Sequence, residues 1–193
     1  MKERVALVTG VLGGIGKAIA AELSTNGMQV IITDLPGEDL DKTSSDLGLV
    51  AMGADLGRES SVVSLMKNLR SKAGAIDILV SAAGGVCGQT GKPITEVSEH
   101  DWREIFAANL DSVFFLTRHM GPMMAANGWG RIVTISSGAG FRPSLTGIQA
   151  YTAAKHGLIG LTKQLSSEFA RYGVTVNSIA PGLVLSNPMT CLL

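Results

Sequence analysis

Two residues in the second half of the sequence have the types and the spacing needed for acid–base chemistry. Tyr151 and Lys155 are four residues apart in a segment with a helical pattern, so their side chains can lie on one face of a helix. A tyrosine hydroxyl is a poor base at neutral pH, because its unperturbed pKa is about 10. A nearby ammonium favours the phenolate and lowers that pKa. Such a tyrosine can take a proton from an alcohol, or return it to a ketone, while a hydride is transferred.

A pair of serines precedes this helix. Residues 131–135 form an apolar strand pattern that ends in Ser136 and Ser137. A hydroxyl at the end of that strand can hold the oxygen of a substrate. The Y-x-x-x-K spacing is common and by itself usually marks only the start of a helix. Here the spacing indicates acid–base chemistry because the two serines precede it and a glycine-rich stretch lies near the start of the chain.

That stretch is T-G-V-L-G-G-I-G, residues 9–16, directly after an apolar strand pattern. In a fold of alternating strands and helices, this first junction binds nucleotide diphosphates, because the helix N-terminus offers unpaired N–H groups to phosphate. Gly10 would make the turn, Gly14 would bring the backbone to the pyrophosphate, and Gly16 would let the helix pack on its strand. The spacing differs from the commonest dinucleotide fingerprint, and a glycine-rich turn without a ligand is the alternative.

Asp34 supports the nucleotide interpretation. It ends the second strand pattern, roughly 20 residues past the loop, where an acidic side chain can bond the ribose 2′-hydroxyl of NAD. Its carboxylate would repel the additional phosphate of NADP, and neither Leu12 nor Leu35 supplies a basic group for that phosphate. Asp34 also suits a turn before Pro36, and both roles can hold together. The sequence therefore favours NAD, with NADP the less favoured cofactor.

Short β-branched patterns alternate with helical patterns along the chain. This alternation predicts a doubly wound parallel sheet, a Rossmann fold with three α/β/α layers. Strands are expected at residues 5–8, 29–33, 49–52, 78–80, 131–135 and 174–179. Helices are expected at 15–23, 38–46, 59–72, 99–126 and 151–172, with Ser98 as the N-cap of the fourth. Without a linker or an internal repeat, residues 1–193 are predicted to be a single domain.

Composition excludes several classes of protein. Hydrophobic residues make up 46% of the 193 and charged residues 17%, which argues against disorder. Sixteen basic and sixteen acidic residues leave no net charge, so no nucleic-acid or membrane partner is expected. Cys87, Cys191 and the three histidines show no metal-ligand spacing, and no metal site is expected. No apolar run approaches the about 20 residues of a membrane span, and no signal peptide precedes the first strand. We expect a cytoplasmic protein.

Seven motifs are spread over nearly the whole chain. They are T-G-V-L-G-G-I-G at 9–16, A-D-L at 54–56, S-A-A-G at 81–84, N-L at 109–110, I-V-T-I-S-S at 132–137, Y-T-A-A-K at 151–155 and V-N-S-I-A-P-G at 176–182. The combination is far more specific than any one motif, and it resembles the short-chain dehydrogenase/reductase family. The resemblance implies the Rossmann fold and a nicotinamide-dependent oxidoreductase.

The resemblance implies four catalytic residues. Tyr151 corresponds to the acid/base, and Lys155 would lower its pKa and bond the nicotinamide ribose. Ser137, rather than Ser136, corresponds to the serine that orients the substrate. Asn109 corresponds to the helix asparagine whose backbone helps to bind a water in the proton relay.

The resemblance also implies a site for NAD. Asp55 and Leu56 resemble residues that line the adenine, and residues 181–184 resemble the loop that contacts the nicotinamide carboxamide. The residues implied for NAD binding are Gly10, Leu12, Gly14, Ile15, Gly16, Asp34, Leu35, Asp55, Leu56, Ala82, Ala83, Gly84, Tyr151, Lys155, Pro181, Gly182 and Val184.

The sequence departs from the family in two places. The family's usual N-N-A-G is S-A-A-G here, so the amides that would support the centre of the sheet are missing at Ser81 and Ala82. We expect weaker support there without loss of function. The second departure is at the end: relatives continue past the position of Leu193, and we expect the C-terminal strand and the substrate-covering lid of the family to be missing.

The expected activity is interconversion of a secondary alcohol and a ketone, with a small-molecule substrate. The alternatives are reduction of a 3-oxoacyl thioester, which usually goes with NADP and a basic loop, and a catalytically silent NAD-binding or scaffold protein. Phe141, Arg142 and Gln149 are candidates for contacting the substrate. Helices 99–126 and 151–172 are apolar on more than one face, which predicts a homodimer or homotetramer.

Overall fold

The sheet at the centre of the molecule contains six parallel strands. The structure is a computed structural model and describes residues 4–182 and 184. The strands are β1 (Val5–Thr9), β2 (Gln29–Thr33), β3 (Val50–Ala51), β4 (Ile78–Ser81), β5 (Gly130–Ile135) and β6 (Val174–Ile179). Their spatial order is β3-β2-β1-β4-β5-β6, and every neighbouring pair is parallel. The order reverses between β1 and β4, which is where ligands bind in open sheets of this kind.

Six helices connect the strands. They are α1 (Gly14–Thr25), α2 (Glu38–Leu47), α3 (Glu59–Ala73), α4 (Glu99–Phe106), α5 (Ser112–Ala126) and α6 (Gln149–Phe169). None of the helices in the described part of the chain is long and apolar enough to cross a membrane. The predicted absence of the family's C-terminal strand and lid concerns the end of the chain, and beyond residue 182 the structure describes only Val184.

The strands alternate their side chains between two apolar cores. Leu7, Leu79 and Ile132 point to one face, where they pack with buried residues of α3 and α5. Val8 and Ile32 point to the opposite face, toward α1 and α2. Burial on both faces explains why the strands are almost continuously apolar. The predicted three-layer Rossmann fold is therefore confirmed.

The long helix expected at 99–126 is interrupted. It begins as predicted, because the Ser98 hydroxyl accepts a hydrogen bond from Asp101 N (3.0 Å) in a capping box. A π turn at Ala107–Asp111 then separates α4 from α5. Inside that turn, Asn109 Nδ2 donates to the carbonyl of Ile105 (2.8 Å). An asparagine that takes a backbone carbonyl competes with the helical ladder, and π turns of this kind often occur at functional sites.

The last predicted helix, 151–172, is shifted in the structure. Helix α6 begins two residues earlier, at Gln149, and ends at Phe169, after which Ala170–Tyr172 form a 3-10 turn. Gly173 follows in the left-handed conformation with φ of 71° and leads into β6. The earlier start places Tyr151 and Lys155 in the first two turns of α6, beside the end of β5.

Candidate active site

The glycine-rich loop packs against the segment after β4. Gly10 has φ of +71°, and a Cβ there would meet the backbone of Ala82 and Ala83 at 2.5 Å. A Cβ on Gly16 would collide with the Gly10 carbonyl. Helix α1 has Gly13 as its N-cap and no side-chain cap. Its first N–H groups are therefore available to an anion, as a nucleotide phosphate requires.

Asp34 joins the glycine-rich loop to the end of β2. Its Oδ2 accepts a hydrogen bond from Leu12 N (2.9 Å), and its Oδ1 accepts one from Leu35 N (2.8 Å). Each carboxylate oxygen can accept a further hydrogen bond, so the group can still bind a hydroxyl donor. The two backbone bonds fix the carboxylate at the rim of a cavity of about 360 Å³.

This first cavity contains several of the residues predicted to bind the adenine half of NAD. It lies between the ends of β2 and β4 and the start of the π turn. Asp55 is held in its wall by Gly57 N and by Arg58 Nε, at 3.0 and 2.9 Å. The cavity is lined by Asp34, Leu35, Ala54, Asp55, Leu56, Gly57, Ala83, Gly84, Cys87, Glu104, Ala107, Ala108 and Ser112.

The sequence predictions missed the second wall of this cavity. Glu104, Ala107, Ala108 and Ser112 come from the region where α4 passes into α5. Nothing in the local sequence marks them, because they reach the cavity only through the packing of the π turn against the end of β4. Cys87 also lines it and is unusual in having φ of 46°, a conformation that L-residues seldom adopt.

A second cavity, of about 250 Å³, holds the residues predicted to be catalytic, except Asn109. Gly84 lines both cavities, so the two adjoin at the switch point of the sheet. The second cavity is lined by Ile15, Ala82, Gly84, Gly85, Ile135, Ser136, Ser137, Tyr151, Lys155, Pro181, Gly182 and Val184. The structure therefore places Ser137, Tyr151 and Lys155 together, with residues from the predicted nicotinamide loop beside them.

Lys155 is buried in this cavity. Only 4% of the surface of Lys155 is exposed, and its Nζ donates to the Ile135 carbonyl at 2.8 Å. Nζ also lies 5.4 Å from the centroid of the Tyr151 ring. Burial disfavours the charged ammonium and lowers the pKa of Lys155 to about 8.

The pKa of Tyr151 differs from the expectation drawn from the sequence. Burial, the largest cause, raises the pKa of the Tyr151 hydroxyl, and a hydrogen-bonding interaction with the Ser137 side chain opposes that rise. The sequence predicted that Lys155 would lower this pKa. In the structure Lys155 is itself desolvated and directs a hydrogen bond to Ile135, so the protein alone keeps the phenol protonated at neutral pH.

The two serines after β5 occupy different environments. The Ser136 hydroxyl is buried and donates to the Lys155 carbonyl at 3.3 Å, which ties β5 to α6. The Ser137 hydroxyl accepts a hydrogen bond from Ala139 N (3.1 Å) and interacts with Tyr151. Of the two hydroxyls, the one nearer to Tyr151 is therefore that of Ser137.

Asn109 is fully buried and supports the segment after β4. Its Oδ1 accepts a hydrogen bond from Gly85 N (3.0 Å), and its Nδ2 donates to the Gly85 carbonyl (2.8 Å). Gly84 has φ of +135°, and a Cβ there would collide with Asn109 Oδ1. The asparagine side chain thus fixes the backbone at the point where the two cavities adjoin.

A residue of β1 supports the backbone of the S-A-A-G motif, where the sequence predicted weaker support. The Thr9 hydroxyl, at the end of β1, accepts hydrogen bonds from Ala82 N (3.1 Å) and Ala83 N (3.0 Å). The hydroxyl of Ser81 is buried and has no hydrogen-bond partner among residues 4–182 and 184. Thr9 was visible in the sequence, but its contact depends on the pairing of β1 with β4.

The start of the last predicted loop is bonded to the end of the β5 segment. The Pro181 carbonyl accepts a hydrogen bond from Gly138 N at 3.0 Å, so this loop is bonded to the segment that follows Ser137.

In the part of the chain that the structure describes, there is no cluster of three or more His, Cys, Asp or Glu side chains that could hold a metal ion.

A dinucleotide fits the glycine-rich loop, the Asp34 carboxylate and the two adjoining cavities. The uncapped start of α1 suits the phosphates, and Asp34 suits a ribose hydroxyl. A molecule that extended from the first cavity into the second would have its other end beside Tyr151 and Lys155.

The chain is similar to curated oxidoreductases along most of its length. It is 37% identical to D-beta-hydroxybutyrate dehydrogenase of Rhizobium meliloti over 190 residues, which cover 95% of this chain and 72% of the relative. It is 36% identical to the 3-oxoacyl-acyl-carrier-protein reductase FabG of Aquifex aeolicus in an alignment of 199 positions, which covers 100% of this chain and 78% of that protein.

A solved structure and a family model agree with these relatives. The fold matches a crystal structure of a variant of actinorhodin polyketide ketoreductase with NADPH, at a TM-score of 0.91 and 32% identity. The match covers 98% of this chain and 74% of the ketoreductase. The family model described as short chain dehydrogenase matches residues 4–191. The chain therefore belongs to the short-chain dehydrogenase family.

Proposed function

We propose that this protein is an NAD(H)-dependent oxidoreductase that interconverts a secondary alcohol and a ketone by hydride transfer. One observation carries the proposal: Ser137, Tyr151 and Lys155 line one cavity, which adjoins the Asp34 cavity at Gly84. A proton-transfer group thus lies beside a site that fits a dinucleotide. The proposal treats the chain as one domain that carries both the cofactor-binding and the catalytic residues.

Each of the four residues predicted to be catalytic has a defined task in this proposal. When bound, the nicotinamide accepts or supplies the hydride. The Tyr151 hydroxyl donates its proton to the ketone oxygen or accepts one from the alcohol. Ser137 holds that oxygen by hydrogen bonding, and Lys155 places positive charge near the developing phenolate and reaches the nicotinamide ribose. The backbone of Asn109 contributes to the water-mediated proton relay.

The raised pKa of Tyr151 is consistent with this role. A phenol that stays protonated at neutral pH is a ready acid for reduction of a ketone. For oxidation, the phenolate must be favoured, and the positive ring of NAD⁺ together with the Lys155 ammonium supplies the charge that does so.

Asp34 supports NAD over NADP. Its carboxylate accepts hydrogen bonds from Leu12 N and Leu35 N, which orient it at the rim of the first cavity, where a ribose would lie. A 2′-phosphate would approach this negative charge, and neither leucine offers a cation to offset the repulsion. The proposed NAD contacts are the residues named from the sequence, from Gly10 to Val184.

Reduction of a 3-oxoacyl thioester is the second candidate. The similarity to the Aquifex aeolicus reductase favours it, and the polyketide ketoreductase that matches the fold carries NADPH. The NAD preference proposed from Asp34 argues against it. A catalytically silent NAD-binding protein is a third candidate, and the same experiment separates all three.

The experiment measures cofactor binding and turnover in the wild type, Tyr151→Phe and Tyr172→Phe. NADH and NADPH fluorescence titrations give the two dissociation constants, and assays with secondary alcohols, ketones and 3-oxoacyl thioesters give turnover. We expect tighter binding of NADH than of NADPH and turnover of an alcohol–ketone pair. Tyr151→Phe removes the acid/base, so we expect kcat to fall by about 100-fold or more with NADH binding retained.

Tyr172→Phe is the matched control, because Tyr172 is exposed on the turn after α6 and lies away from the cavity. It should retain the wild-type kcat. Turnover that survives Tyr151→Phe would show that the mechanism is wrong. Binding of NADH without turnover of any substrate would favour the silent protein, and preferential use of NADPH with thioesters would favour the second candidate.

A further inference from the structure

Gln89 is a fully buried amide in the segment between β4 and α4. Its Nε2 donates two hydrogen bonds, one to the carbonyl of Gly147 and one to Gln149 Oε1, each at 2.9 Å. Gln149 Nε2 in turn donates to the Lys92 carbonyl at 2.7 Å. The two glutamines therefore join the segment after β4 to the segment that enters α6.

The network lies at the start of the helix that carries Tyr151. Gln149 is the first residue of α6, two residues before Tyr151, and the N-cap residue Ile148 provides no side-chain cap. A backbone bond from Gly91 N to the Thr146 carbonyl (2.8 Å) runs beside the glutamines. The position of the first turn of α6 thus depends on contacts with the segment after β4.

The same segment is fixed at its other end by Asn109, which holds both polar backbone groups of Gly85. Gly85 lines the second cavity together with Tyr151. The segment from Gly85 to Gln89 therefore spans the distance between the cavity wall and the start of the catalytic helix, with a buried amide at each end.

The orientation of the Gln89 amide follows from its neighbours. Both acceptors that face it are oxygens that can only accept, so its NH₂ group must point toward them. Its own Oε1 is buried and finds no hydrogen-bond partner within the described chain, residues 4–182 and 184. A buried acceptor without a partner is unfavourable for stability. Gln89 therefore contributes to the structure through its two donated hydrogen bonds and not through its Oε1.

We propose that Gln89 is a positioning residue that ties the cavity wall after β4 to the first turn of α6 and so holds Tyr151 in place relative to Ser137. This inference rests on the proposed function. It also assigns a different task to Gln149, a candidate substrate contact in the sequence, because both ends of its amide are engaged by Gln89 and Lys92.

The test compares Gln89→Leu with the wild type and with Gln164→Leu. Leucine has a similar volume and cannot donate, and it also removes the buried acceptor that lacks a partner. Gln164 is exposed on α6, so the same change there leaves the network intact. The measurements are kcat, KM and the pH profile of kcat, the dissociation constant of NADH, the denaturant unfolding midpoint, and hydrogen exchange of each segment.

We expect Gln89→Leu to lower kcat by about tenfold to 100-fold, the range that small misplacements of reacting groups produce. The apparent pKa of the proton-transfer group in the pH profile should rise, because Tyr151 moves away from the Ser137 interaction that lowers it. The dissociation constant of NADH should stay within about twofold, since Gln89 lines neither cavity. Gln149→Leu should reproduce these effects, and the double variant should be no worse than Gln89→Leu.

Hydrogen exchange separates a failure of this inference from a failure of the proposed function. Residues 86–93 and 146–152 should exchange faster in Gln89→Leu, while α3 keeps its wild-type rates, whether or not a substrate is known. If kcat and the pH profile match those of Gln164→Leu, or if exchange at 146–152 is unchanged, the inference is overturned. A purely structural role would lower the unfolding midpoint without moving the pH profile, and that result would also overturn it.

Discussion

At the scale of single residues, the burial of Lys155 has a thermodynamic consequence. Its ammonium is surrounded by protein and donates to one backbone carbonyl, that of Ile135. Its pKa falls from 10.5 in the unfolded chain to about 8 in the folded protein. Between these two pH values Lys155 binds more protons in the unfolded chain than in the folded protein, so its contribution to the free energy of unfolding rises with pH.

We predict that this rise disappears in Lys155→Met. Denaturant unfolding of the wild type and the variant at pH 7, 8, 9 and 10 gives the difference between their free energies of unfolding. That difference should be constant below about pH 8 and should move in favour of the wild type from pH 8 to 10. Cys87 is present in both proteins, so its titration cancels. Parallel curves over the whole range would contradict the burial of a charged Lys155.

The sequence alone predicted Tyr151, Lys155 and the serine pair as one group, because helix periodicity and strand ends are local features. Only the family resemblance chose Ser137 over Ser136, because these local features do not show that Ser136 bonds the Lys155 backbone while Ser137 interacts with Tyr151. That division depends on how β5 twists against α6. The effect of burial on the pKa of Tyr151 was missed for the same reason, because burial depends on contacts between distant parts of the chain.

At the scale of elements, the alternating pattern was sufficient to predict six strands and their helices, and the boundaries differ by a few residues. The Ser98 cap was predicted correctly, because a capping box lies within four residues of sequence. The π turn at Ala107–Asp111 was not predicted. Asn109 lies inside this turn and exchanges two hydrogen bonds with Gly85, 24 residues away, a contact that no helix propensity contains.

A prediction at this scale concerns the tie between β1 and β4. Thr9→Val keeps the shape and the strand preference of the side chain but removes the acceptor for Ala82 N and Ala83 N. Two partly buried N–H groups without partners should lower the free energy of unfolding by about 1–3 kcal/mol. Denaturant unfolding of Thr9→Val and of Thr175→Val, an exposed position on β6, measures this. Equal stabilities would mean that Thr9 does not replace the missing amides.

At the scale of the whole molecule, the outer surface of the long helices carries apolar side chains. Trp102 on α4 and Phe114 on α5 are 38% and 43% exposed, while the inner face of α5 buries Val113 and Leu116. Nothing lies within 4 Å of a Cβ built on Gly160 of α6, so another helix can approach closely there. These features support the homodimer or homotetramer predicted from the sequence, in which α4, α5 and α6 would face a second copy of the chain.

We predict that the wild type sediments as a dimer or tetramer at micromolar concentration and that Phe114→Glu shifts it toward the monomer. A carboxylate in the centre of an apolar contact loses its hydration without gaining a partner, which opposes association. Phe141→Glu is the control, because Phe141 is 66% exposed in the loop after β5 and away from α5. It should keep the wild-type mass. A monomeric wild type, or equal masses for the two variants, would show that this face does not join two copies. If Phe114→Glu is monomeric and retains kcat, the active site is complete within one chain.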